Sequence, residues 1–201
     1  MRRLSAVLVL VTAGVLGTAS PVHAEPAAAT LPHGRVMSLA EVQAEVAAAP
    51  AETHWYRIMN WNSKLYLTVA APADVNGSPI VQRGYLGGSQ SQAWTLTAGT
   101  VEHYSYLRSA ATSSWKALGI SGSSAANGGK AINWTYTPGL ADQQWRQGLP
   151  LPGLLVYPLK NLNSSKCLGI PGSSKDAGVQ AIQWDCRTGL GDQYWVFTSW
   201  E

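Results

Sequence analysis

Two carboxylates stand at matched places late in the chain, Asp142 before Gln143 and Asp192 before Gln193. A pair of carboxyl groups is the minimum equipment for glycoside hydrolysis, which needs them about 5–9.5 Å apart across one bond. The spacing here argues against that chemistry. Each Asp opens the same short pattern, Asp-Gln-x-Trp, and equivalent residues of a repeat point away from each other around its axis. The other acids are scattered, and neither a Ser-His-Asp order nor a nucleophile elbow occurs. Cys167 and Cys186 are the two thiols. An even number in an exported chain favours a disulfide, with free thiols or half of a metal site as alternatives. His33, His54 and His103 show no ligand spacing to these cysteines. The sequence therefore predicts no enzyme, no metal and no other cofactor.

Positioning falls to a repeat. Gln92-Ala93-Trp94, Gln143-Gln144-Trp145 and Gln193-Tyr194-Trp195 share the pattern Gln-x-Trp, with their tryptophans 51 and 50 residues apart. Residues 117–145 and 167–195 agree at 15 of 29 positions without a gap. The first copy has drifted but keeps Leu67, Gly77, Gln82, Gly88, Gln92 and Trp94 in frame with the third. Within a copy the pattern is β. Leu67 alternates with Val69, Leu118 with Ile120 and Leu168 with Ile170, the period of a half-buried strand. Turns ending at Gly77, Gly128 or Gly178 separate these from strands carrying Val81, Ile132 or Ile182. Three such copies predict a closed, all-β ring with pseudo-threefold symmetry, over 55–99, 100–148 and 149–201. Trp94, Trp145 and Trp195 share one phase of the repeat and are expected in its core.

The start of the chain reads as an export signal over residues 1–24. Arg2 and Arg3 precede an apolar run over 4–16, and Val22, His23 and Ala24 supply a cleavage site. The run is too short to span a bilayer, and a secreted, extracellular protein is expected. The formal charge of +3 falls to +1 without Arg2 and Arg3, and no Lys/Arg cluster follows. Nucleic acid and membrane surfaces are thus poor partners. Residues 25–52 form a linker or short helical arm before the main domain at 53–201. Ser38-Leu39-Ala40-Glu41 has the form of a capping box for a helix ending before Pro50. A solvated linker, a docked arm, a pro-segment and a partner-binding helix are its possible roles.

With three Gln-x-Trp motifs at near-equal spacing, residues 55–201 resemble a ricin B-type (R-type) lectin domain, a β-trefoil. The resemblance implies twelve strands, six in a barrel and six in capping hairpins, and a shallow sugar site in each copy. It implies carbohydrate or glycan, including polysaccharide, as partner. A sugar's C–H face stacks on an aromatic ring, and its hydroxyls need fixed donors and acceptors. Transferred to this chain, the third copy supplies Trp184 as platform with Asp192 and Gln193 as polar pair. The second supplies Trp134, Asp142 and Gln143. The first has Arg83, Ser91 and Gln92 there, so its platform is lost. The family's further Asp is Thr68, Gly119 and Gly169 here. The resemblance also pairs Cys167 with Cys186, replaced by Tyr66/Tyr85 and Ala117/Tyr136 in the other copies. Gln92, Gln143 and Gln193 could serve sugar or loop backbone alike. The missing carboxylates motivate an alternative, a trefoil that has lost sugar binding and holds a protein partner.

Overall fold

The computed structural model describes residues 30–31, 33–48, 54–112 and 116–200. Residues 1–24, read from the sequence as an export signal, and part of the arm lie outside them.

Each copy contributes four strands: β3 (Tyr56–Asn60), β4 (Tyr66–Val69), β5 (Ser78–Arg83) and β6 (Trp94–Ala98) in the first. The second has β7 (Ser105–Ser109), β8 (Ala117–Ile120), β9 (Ala131–Trp134) and β10 (Gln144–Gln147). The third has β11 (Tyr157–Asn161), β12 (Cys167–Gly169), β13 (Ile182–Trp184) and β14 (Tyr194–Ser199). The outer strands of each copy pair antiparallel into a closed ring, in the order β3, β6, β7, β10, β11, β14 and back to β3. Closure removes every free barrel edge. The inner strands form the hairpins β4–β5, β8–β9 and β12–β13. Bridges Ser78 to Asn133, Val81 to Gln180 and Lys130 to Ile182 join the hairpins to one another. This is the β-trefoil, with its threefold axis through the barrel.

The repeated residues hold the repeated geometry. Trp94, Trp145 and Trp195 are fully buried. Each indole N–H donates to the carbonyl of Leu67, Leu118 or Leu168, at 3.0, 2.9 and 3.0 Å. A buried tryptophan needs such an acceptor. Each Gln of the motif spans its own loop. Gln143 Oε1 accepts from Thr137 N–H at 3.0 Å and its Nε2 donates to Thr135 O at 2.9 Å. Gln193 does the same with Arg187 N–H and Asp185 O, and Gln92 with Leu86 N–H and Gly84 O. Neighbouring copies are stitched by asparagines. Asn60 Nδ2 donates to Asp192 O and Asn161 Nδ2 to Asp142 O, while their Oδ1 atoms accept from the turn that follows.

Cys167 and Cys186 form a disulfide. Where it is missing, arginines take part in the replacement. Arg57 lies over the Tyr85 ring at 5.0 Å, and Arg108 over Tyr136 at 4.6 Å. The rings also touch each other or a neighbour, Tyr66 on Tyr85 at 6.0 Å and Tyr106 on Tyr136 at 4.9 Å.

The segment before the trefoil is docked. A small hairpin, β1 (Thr30–Leu31) with β2 (Gly34–Arg35), leads to a bridge from Val36 to Thr198 and a bond from Met37 N–H to Phe197 O. Helix α1 (Leu39–Ala48) then lies across the barrel end formed by the last residues of β6 and β10 and the first of β7 and β11. Its capping box is complete: Glu41 N–H donates to Ser38 Oγ and Ser38 N–H to Glu41 Oε2. Met37 and Val42 are buried in the barrel core. Tyr56 Oη donates to Glu45 Oε2, and Leu39 N–H to Tyr157 Oη. Among the described residues no helix is long and apolar enough to cross a membrane.

Candidate functional site

Trp184 ends β13 opposite Cys167 and is 38% exposed; Trp134, its equivalent at the end of β9, is 42% exposed. Both rings stop on a glycine of the preceding copy's hairpin turn. A Cβ on Gly128 would lie 3.9 Å from Trp184 Cζ3, and one on Gly77 equally far from Trp134 Cζ3. A platform in one copy is therefore propped by its neighbour. The residue after Trp184 is fixed as well. Asp185 is held by Lys166 Nζ at 2.6 Å and by Asn127 through two hydrogen bonds, 2.7 and 2.9 Å. The Asn127 amide first, and Lys166 second, keep its carboxyl below the usual carboxylate value. Trp184 is thus a ring on a rigid mount, half in water.

Beside it runs a groove of about 270 Å³, lined by Ile170, Gly172, Trp184, Arg187, Leu190 and Asp192 among others, with Gln193 beneath. Gly169 explains the depth. A Cβ there would sit 3.0 Å from Gln193 Cγ and 3.8 Å from Asp192 Oδ2. The Asp192 carboxylate leans toward the place that a side chain at 169 would take.

The two aspartates, alike in sequence, differ in state. Asp142 is 5% exposed and committed. Its Oδ2 accepts from Ile120 N–H at 3.2 Å and its Oδ1 from Ser123 Oγ at 2.9 Å. In the third copy Ile170 N–H turns instead to the backbone oxygen of Asp192, at 3.2 Å. Among the described residues the Asp192 carboxylate is left without a hydrogen bond, its Oδ1 buried. Gln143 and Gln193 both hold loop backbone, which gives them a structural duty whatever else they touch. In the first copy Arg83 occupies the platform position. Thr68 is buried, donating to Tyr66 O and accepting from Gln92 Nε2. The structure thus brings Trp184, Asp192 and Gln193 together at one groove. In the second copy the equivalent carboxylate, Asp142, is already in use.

Sequence reasoning missed Arg187 and Leu190 as groove residues. The available signal was a position where the copies disagree, since Arg187 is Leu86 and Thr137 in the other two. Among the described residues no group of three or more His, Cys, Asp or Glu is placed to hold a metal ion.

The family model described as ricin-type beta-trefoil lectin domain-like matches residues 43–134 and 141–200. The chain belongs to this family. Solved structures agree. The designed threefold-symmetric protein ThreeFoil is 28% identical with a TM-score of 0.64, over 72% of this chain and 97% of that one. The exo-beta-1,3-galactanase 1,3Gal43A of Clostridium thermocellum is 26% identical with a TM-score of 0.66, over 75% of this chain and 31% of that one. The ricin B-like lectin of Macrolepiota procera, solved with lactose, shares the fold at 21% identity and a TM-score of 0.59, over 75% and 99%. No curated protein matches the chain in sequence. In this ricin-type trefoil the barrel, the buried Gln-x-Trp tryptophans and the glutamine clamps are kept in all three copies, while the groove residues differ.

Proposed function

We propose that the protein is a secreted, non-catalytic lectin that binds carbohydrate by stacking a sugar on Trp184, with Trp134 as a second, weaker platform. The observation that carries this reading is the exposed Trp184 ring beside a groove that also receives an unpaired carboxylate, Asp192. An indole face half in water gains by covering the C–H face of a pyranose. A carboxylate without donors gains more from sugar hydroxyls than one already bonded, because bonds to a charged acceptor contribute about 1.5–3 kcal/mol. Membership of a lectin-domain family and the lactose complex of the Macrolepiota procera protein support carbohydrate as ligand. Two weak sites on one rigid trefoil suit a polysaccharide, on which linked contacts reinforce each other. The Cys167–Cys186 disulfide suits an oxidising, extracellular setting.

The test is tryptophan fluorescence of the protein titrated with soluble polysaccharides and simple sugars. A spectral change that Trp184→Ala weakens, and that the further change Trp134→Ala abolishes, supports the reading. Folded protein giving no change with any sugar refutes it.

A further inference from the structure

We infer that the third-copy groove selects an acidic pyranoside, a sugar carrying a carboxylate such as a hexuronate, with Arg187 as the residue that reads the acid. The inference rests on the carbohydrate reading above and names the substrate class of that same groove.

Arg187 lines the groove together with Trp184 and Asp192. It lies at a loop position where the copies carry unlike side chains, Leu86, Thr137 and Arg187, while the backbone N–H of each does the same job on the following glutamine. The fold asks no hydrogen bond of the arginine side chain there, and its field is the smallest of the influences on Asp185. Its nearest carboxylate in sequence, Asp185, is already held by Lys166 at 2.6 Å and by Asn127 at 2.7 Å. No ion pair or hydrogen bond engages the guanidinium among the described residues. The groove therefore presents two charged groups without a hydrogen bond among the described residues, the guanidinium of Arg187, which acts on Asp185 only through its field, and the carboxylate of Asp192, flanking an aromatic floor. A neutral sugar answers only one of them well, offering hydroxyls to the carboxylate. A sugar acid answers both, because a planar guanidinium takes a carboxylate through two parallel N–H bonds. Asp192 repels that same acid, so the ring must lie with its carboxylate toward Arg187 and its hydroxyls toward Asp192. This orientation separates a specific site from general attraction to anions.

The experiment titrates the full chain with galacturonate against galactose, glucuronate against glucose, and galactose 6-sulfate, followed by protein NMR at low salt and in 0.5 M NaCl. Because the guanidinium faces water, the expected preference of acid over matched alcohol in at least one pair is about five- to tenfold. It should shrink at high salt, fall to about one in Arg187→Gln, and survive in part in Arg187→Lys. Equal binding of acid and alcohol in both pairs overturns the inference and leaves the carbohydrate reading standing. Galactose 6-sulfate binding as well as galacturonate overturns the carboxylate assignment. If none of the five binds, the inference falls, and the polysaccharide titration described above decides whether the carbohydrate reading falls with it.

Discussion

Asp142 and Asp192 occupy the same place in two copies that agree at half their positions, yet removing them should damage different things. In Asp142→Ala the carboxylate that accepts from Ile120 N–H and Ser123 Oγ disappears. Ser123 is exposed and turns to water, but Ile120 is buried and its N–H has no other partner among the described residues. A bond to a charged acceptor, with the buried donor orphaned, is worth about 2–3 kcal/mol. For a domain of this size each kcal/mol moves the midpoint by about 2–4 °C, so a loss of roughly 4–12 °C is expected. Asp192→Ala removes a carboxylate that accepts no hydrogen bond, one oxygen of which is buried. Its stability should stay within about 1 kcal/mol of the parent and could rise, since an unpaired buried polar atom is itself unfavourable. Sugar affinity should respond in the opposite order. Asp192→Ala loses about tenfold through one charge-assisted bond, and Asp142→Ala retains most binding once folded. Thermal unfolding and sugar titration of both variants provide the check. If Asp192→Ala is destabilised as much as Asp142→Ala, or both bind sugar equally, then the distinction between a committed and an open carboxylate is wrong.

Other perturbations follow from the same geometry. Replacing Cys167 and Cys186 by Ala opens a loop of 19 residues' separation and should cost about 3 kcal/mol on the chain-entropy model, read by urea denaturation. Gln143→Ala strands a backbone donor and a backbone acceptor at the ends of one loop, with an expected loss of about 2 kcal/mol and faster amide exchange at Thr137. The Glu41 carboxyl is held below its usual value of 4.5, first by Ser38 N–H and then by Arg35. A depressed folded pKa means that its contribution is present at neutral pH and is lost as pH falls below about 4.5 toward the folded value. Amide exchange in α1 should therefore quicken at acid pH in the parent, and much less so in Glu41→Gln, whose helix is already weakened. Ser38→Ala removes the other half of the capping box and should destabilise the helix by about 1 kcal/mol, seen in the same exchange experiment.

The trefoil was legible because its determinants repeat. Trp94, Trp145 and Trp195 could be placed in the core from their phase alone, and each is buried with its N–H on a leucine carbonyl 27 residues earlier. The helix at Ser38 was legible from its capping box. Its docking was not, because the burial of Met37 and Val42 depends on where the far end of the barrel falls. The glutamines were ambiguous in sequence, since an amide serves a sugar and a loop equally well, and the hydrogen bonds show the loop duty. The inequality of Asp142 and Asp192 was invisible. The glycine turns beside them share one backbone shape, with φ of 62° at Gly122 and 60° at Gly172. The difference lies in whether Ile120 or Ile170 N–H finds a carboxylate or a carbonyl, a choice of side-chain placement that residue type does not encode.

On the proposed reading, the arrangement explains how one site can persist while its equivalents drift. What the fold requires is spread over all three copies: the indole bond, the glutamine clamp and the closed ring of six strands. Losing any of these strands buried polar groups, which costs folding energy directly. What a groove requires is carried by side chains that the fold does not use, namely the exposed platform, the free carboxylate and the loop residue before the turn. Arg83 in place of a ring therefore leaves the first copy intact as structure. In the second copy Asp142 has been drawn into the fold by Ile120 and Ser123, trading a groove carboxylate for local rigidity. The third copy keeps its carboxylate out of the hydrogen-bond network while the disulfide and the Asp185 contacts hold the loop around it. On the proposed reading this makes the groove a pre-organised site, because a rigid backbone with unsatisfied side chains leaves little order to be imposed when a ligand arrives.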